Sequence, residues 1–144
     1  MAITSAVCNS FKTEILTAVH NFTAGGANVF NLALYTSSAT LNKSTTVYIT
    51  SGEVATATGY TAKGKALTSV TPVLSTDTAV CDFDNISWTS ASFTANGCLI
   101  FNDTATGDPA CCAIAFGGDK TVTSGTFTVE FPAPAAATAI IAIA

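Results

Sequence analysis

The chain has 144 residues, of which 49% are hydrophobic and only 10% charged, with a formal net charge of -4. That length fits one domain burying about 70% of its unfolded surface, and the charged share is well under the about 25% usual in globular chains. Its only basic residues are Lys12, Lys43, Lys63, Lys65 and Lys120, too few and too scattered for the clustered cations that a nucleic-acid partner demands.

Thr, Ser, Gly and Asn make up much of the remainder, so the surface is hydroxylated more than ionic, and weak charge favours association with other copies or a larger body. No stretch approaches the about 18 apolar residues of a membrane span. Met1 to Phe11 lacks the cationic and apolar regions of a secretory signal, so the expectation is a soluble protein made in a cytoplasm, with no membrane partner. The Asn-x-Ser/Thr triplets at Asn21, Asn42, Asn85 and Asn102 would accept glycans only on a eukaryotic secretory route and are expected by chance in a Thr-rich chain.

From the N-terminus, Phe11, Ile15, Val19 and Phe22 recur at helical spacing, with Asn9 and Ser10 as N-cap candidates and Gly25-Gly26 as a breaker. This predicts one amphipathic helix over about 10–22, its apolar stripe packed on a sheet. Beyond the glycines the period becomes two. Phe30, Leu32 and Leu34 alternate with Asn31, Ala33 and Tyr35; Ala79, Cys81 and Phe83 alternate with Thr78, Val80 and Asp82; Phe127, Val129 and Phe131 alternate with Thr126, Thr128 and Glu130. Each reads as a half-buried strand.

Ser37 to Lys65 has only Val47-Tyr48-Ile49 and Val54 as strand seeds and reads as a long excursion or an edge hairpin. Between Ile86/Trp88 and Ala91/Phe93 the apolar parity slips by one, which one extra residue near Ser90 explains as a bulge. The runs Cys98 to Phe101, Cys111 to Phe116 and Ile140 to Ile143 are continuously apolar, as in strands that are central or at an interface. Turn signals include Asn96-Gly97, Asp103 to Pro109, Gly117-Gly118-Asp119 and Ser124-Gly125, and Pro132 and Pro134 break the last β region.

The fold class expected is mainly β: an antiparallel β-sandwich or jelly roll with one N-terminal α-helix, in a single domain over 1–144 whose sandwich covers about 28–144.

A search for chemistry finds little. His20 is the only histidine and no Gly-x-Ser-x-Gly elbow is present, so His20 reads as a capping or packing residue at the helix end, where a cation suits the dipole. Asp82 with Asp84, and Asp103 with Asp108, could act as carboxylate pairs in glycoside hydrolysis or calcium binding; the plainer reading is that Asp84, Asp103, Asp108 and Asp119 cap turns. Gly117-Gly118-Asp119-Lys120 lacks phosphate-loop spacing and reads as a hairpin. Trp88, Tyr35, Tyr48 and Tyr60 could stack on sugars, though aromatic residues in strands usually pack in the core or on its edge.

The five cysteines, Cys8, Cys81, Cys98, Cys111 and Cys112, are odd in number and without metal-site spacing, so they read as free thiols, mostly buried, with no bridge between the adjacent Cys111 and Cys112. No catalytic, cofactor or metal residue is assigned, and the chain reads as a building or binding module, not an enzyme.

The words Phe11-Lys12-Thr13-Glu14-Ile15-Leu16, His20-Asn21-Phe22, Ala33 to Leu41 and Gly59-Tyr60-Thr61-Ala62 resemble a family of small virion structural proteins of tailed bacteriophages. The likeness continues through Asp82-Phe83-Asp84, Leu99 to Asn102, Phe116 to Lys120, Phe131-Pro132 and the Ile-rich end. It implies a jelly-roll capsid cement or decoration protein, located on the virion surface, whose partners are itself, as dimer or trimer, and the phage major capsid protein. The second reading it leaves open is a tail fibre, adaptor or receptor-binding module of the same particle. The family carries no catalytic motif to transfer.

Overall fold

The computed structural model describes residues 2–57 and 59–144. A short strand, β1 (Ala6–Val7), leads into the helix α1 (Asn9–Leu16); the strands β2 (Phe30–Tyr35), β3 (Lys65–Ala66), β4 (Ser69–Ser75), β5 (Thr78–Phe83), β6 (Ile86–Asn102), β7 (Ala110–Val129) and β8 (Ile141–Ile143) follow. They form two antiparallel sheets, one in the order β1-β7-β6-β2-β3 and one in the order β4-β5-β8. The protein is thus mainly β with a single short helix near its N-terminus, as its alternating apolar pattern predicts.

Between the sheets lies an aromatic cluster. Phe22 stacks on Phe30 at 4.2 Å between ring centroids, Phe30 meets Phe83 at 6.0 Å, and Phe11 meets Phe22 edge-on at 5.9 Å. Offset and edge-to-face pairs of this kind add about 0.5–1.5 kcal/mol each beyond their burial.

The helix is shorter than its periodicity implies. It stops at Leu16 because Ala18 adopts φ 59, the left-handed seat of a Schellman turn, in which Val19 N–H donates to Glu14 O at 3.0 Å and Ala18 N–H to Ile15 O at 3.4 Å. Phe22 therefore reaches the core from a loop, and its helical spacing from Phe11 is a coincidence of register. The N-cap is Cys8, which gives no side-chain cap bond, so Asn9 and Ser10 lie inside the first turn, where Asn9 Oδ1 accepts from Lys12 Nζ at 3.2 Å.

The strand β2 is buried on both faces, with Leu32, Ala33, Leu34 and Tyr35 all fully buried, so it is not the half-buried strand its alternation suggests. The second cover comes from the 36–64 excursion, which runs mostly as irregular backbone. Its chain lies beside β2 through Val54 N–H to Leu34 O at 2.9 Å and beside the start of β7 through Ala110 N–H to Thr46 O at 2.9 Å. In β5, Phe83 is buried and Cys81 half-buried as expected, but Ala79 is exposed and Val80, on the other face, is buried.

The long pair β6 and β7 carries the predicted irregularity. The register shifts between Trp88 and Ala91, and Ser90 takes φ 50, which places the extra residue where the parity slip puts it. Gly117-Gly118-Asp119 is not a hairpin turn: it lies within β7 as a wide bulge, since Ala95 pairs with Lys120 and Gly97 with Ala115, and Asn96 Nδ2 donates to Asp119 Oδ1 across it at 2.8 Å. Asn96-Gly97 is likewise inside β6. There Gly97 is required by close approach, because a Cβ would sit 2.5 Å from Ile114 O and 2.8 Å from the side chain of Ile3. Cys98 to Phe101 and Cys111 to Ala113 are central and buried, as expected, but β8 is an edge strand with Ile141 buried and Ile143 exposed.

Candidate functional site

The least satisfied part of the molecule is the free side of β7. From Phe116 to Val129 this strand is hydrogen-bonded to β6 alone among the described strands, so its outer edge presents backbone donors and acceptors to the surroundings. Alternation puts Phe127 and Val129 on the inward face and Thr126 and Thr128 outward. The inward side chains are only half covered. With Ile114, Phe116, Phe131 and Ile140 they line an apolar cleft of about 570 Å³ that opens beside the edge, with Lys120 and Glu130 among its lining residues. Of its lining rings Phe116 meets Phe127 at 6.2 Å, and Phe127 is backed by Phe93 at 5.1 Å.

A second cleft, about 420 Å³, lies between the end of the helix and the smaller sheet, bounded by Ile15, Ala18, Phe22, Pro72, Ile141 and Ile143 among others. Leu74, Ala79 and Ile143 stand opposite one another across β4, β5 and β8, and Leu74 and Ile143 are 73% and 53% exposed. That row extends the apolar surface of the cleft to the rim of the sheet.

The polar groups form two clusters, one buried around His20 and one half-exposed around Lys63. Around His20, Nε2 meets Glu14 Oε2 at 2.8 Å, and Nδ1 lies 3.3 Å from Asn102 Nδ2 and 3.8 Å from Cys111 Sγ. His20 is outside the helix, past its C-cap, so it does not cap that helix as its position in the sequence suggests; it is buried, as a packing role requires. Thiol, imidazole and carboxylate follow the order of a nucleophilic triad, yet Cys111 is fully buried and burial raises its pKa well above 9.0, whereas a thiolate nucleophile needs a depressed one. The arrangement is a packing network.

In the second cluster Lys63 Nζ bridges Asp103 Oδ1 at 2.9 Å and Asp108 Oδ2 at 2.8 Å. Glu53 accepts from Tyr48 Oη, from Tyr60 Oη at 2.7 Å and from Lys63 N–H at 2.7 Å. Asp103 and Asp108 therefore hold the excursion to the β6–β7 turn instead of capping that turn; the cap is Asn102, whose Oδ1 accepts from Thr104 and Ala105 N–H at 3.1 and 3.2 Å. Asp82 lies within β5 and Asp84 just past its end, where its backbone N–H donates to Thr68 O at 3.0 Å. Among the described residues no group of three or more His, Cys, Asp or Glu could hold a metal ion.

Tyr35, Tyr60 and Trp88 are buried, and Tyr48 is half-buried under the Glu53 contact, so these rings serve the core and are not presented to a sugar. The five cysteines are free, with Cys81 half-buried and the others buried. No helix of the described residues is long and apolar enough to cross a membrane. Sequence reading names the Phe127, Val129 and Phe131 stripe but not the cleft, because only the fold shows that nothing covers it. Compared with protein-family models, curated proteins and solved structures, the chain finds no match.

Proposed function

We propose that this chain is a structural component of a tailed-phage virion, a cement or decoration protein that binds the outer capsid lattice and stabilises it by contact, without catalysis. The observation that carries the reading is the cleft along β7: an open strand edge beside a half-covered aromatic face is an unfinished piece of a larger core. Apolar burial contributes about 25 cal/mol per Å² removed from water, whereas exposed ion pairs contribute about 0–1 kcal/mol each. With five lysines and nine acidic residues, the chain is built for the former.

The virion setting rests on the resemblance of its sequence words to small tailed-phage structural proteins. A tail receptor-binding role would need aromatic rings free to stack on sugar, and three of the four named for it are buried. Densitometry of purified virions distinguishes the two, since a cement protein is expected in numbers comparable with the capsid subunits. A copy number matching a single tail complement would overturn the reading.

A further inference from the structure

We infer that β8 is an exchangeable strand: it leaves its own sheet and pairs with β5 of a second copy of this chain, which returns its own β8. The inference goes beyond the virion reading and stands without it. The complement is already on display, because β5 accepts β8 in an antiparallel register, Ala79 to Ile143, Val80 to Ala142 and Cys81 to Ile141. A strand that fits one copy fits every copy equally, so exchange keeps each contact and changes only which chain supplies it.

The tether shows why β8 is the element that moves. It is an edge strand of three residues, bonded to β5 alone, and only Ile141 in it is buried. Residues 130–140 connect it to β7, and 132–138 are all exposed, so they hold no side chain in the core. Between Phe131 and Thr138 two bonds tie the connection to the rest of the described fold, Phe131 N–H to Asn85 Oδ1 at 2.9 Å and Ala136 N–H to Ser75 Oγ at 3.2 Å. The others close a local turn: Thr138 and Ala139 N–H donate to Ala135 O at 3.0 and 2.9 Å, and Thr138 Oγ1 to Ala133 O at 2.7 Å. That turn is stored length. Straightened, residues 130–140 span about 36 Å, and Pro132 and Pro134 favour an extended path. The exchanged segment also serves both clefts, since Ile140 lines the one along β7 while Ile141 and Ile143 line the one beside the helix. A second copy's segment thus supplies a wall of each.

The register supplies the test. Ile141→Cys sets a thiol opposite Cys81, at a cross-strand separation that a disulfide spans. The full chain with this change is concentrated, separated into monomer and dimer by size exclusion, and oxidised with oxidised glutathione. The dimer fraction is expected to give covalent dimers on denaturing, non-reducing gels and the monomer fraction only links within one chain; Cys81→Ala/Ile141→Cys is expected to give neither. Because Ile141→Cys trims a buried side chain, strap length in the otherwise natural chain gives an independent reading by sedimentation velocity. A Gly-Ser insertion after Ala136 eases closure on the chain's own sheet and should weaken the dimer about tenfold or more, whereas deleting residues 134–138 should strengthen it. A natural chain that stays monomeric at high concentration, a dimer linked only within each chain, or a dimer indifferent to strap length would overturn the exchange. Binding to virions is scored apart: an exchanged dimer that fails to bind particles contradicts the virion role and leaves the exchange standing.

Discussion

Asn102 is fully buried and makes five contacts with one side chain. Its Nδ2 meets Val19 O at 3.2 Å, Asn28 Oδ1 at 3.1 Å and His20 Nδ1 at 3.3 Å, while its Oδ1 accepts from two turn amides. The same imidazole reaches Glu14 Oε2 through Nε2 at 2.8 Å. Asn102→Ala leaves several buried groups unpaired, and the expected cost is about 2–4 kcal/mol in denaturant unfolding; a loss under about 0.5 kcal/mol would mean that water replaces the network. The cysteines give a second residue-scale expectation. Burial raises the Cys8 and Cys81 thiols to about 11 and Cys112 to about 12, from an ordinary 9.0. Above that ordinary value the unfolded chain has shed protons that the folded chain keeps, so stability falls as pH rises. Unfolding free energy should decline from about pH 9 toward pH 11–12; a rise over that window contradicts the burial of these thiols. Five thiols should titrate in denaturant without reductant, with Cys81 reacting first in the native protein.

At the scale of elements, two local seats carry testable strain. Ala18 holds φ 59 at the helix stop, where Gly removes the Cβ penalty, so Ala18→Gly should stabilise by about 0.5–1 kcal/mol even though Gly ordinarily weakens a chain; thermal unfolding checks the sign. Gly97→Ala forces a methyl between Ile114 O and Ile3, which should loosen the N-terminal segment and cost about 1–3 kcal/mol, seen as faster proteolysis before β1. These same seats explain what the sequence conceals. The bulge at Ser90 is legible because apolar parity records which face each residue takes, and a slipped parity has few other causes. The helix stop is not legible, because Ala18 carries no sign of a left-handed conformation. Gly117-Gly118 signals a reversal, yet Gly also serves a bulge, and only cross-strand pairing decides between them. The 36–64 excursion is opaque because its hold on the sheet comes from side chains such as Glu53, Tyr60 and Lys63, whose partners are distant in sequence.

For the whole molecule, the mainly β architecture follows from alternation, while the candidate site is legible only in part: the Phe127, Val129 and Phe131 stripe is written in the chain, and its lack of cover depends on where the segment after Glu130 runs. The proposed role gathers these features into a mechanical one, in which apolar clefts and an open edge join neighbours and favour the intact shell. Attachment so built should weaken only modestly with added salt, since few charges contribute. The most direct measurement compares the temperature at which virions release their genome with this protein present and with it stripped. The account predicts release at a lower temperature from stripped particles and recovery when the purified chain is added back; equal release temperatures would contradict the cement role, and loss of host adsorption instead would move the protein to the tail.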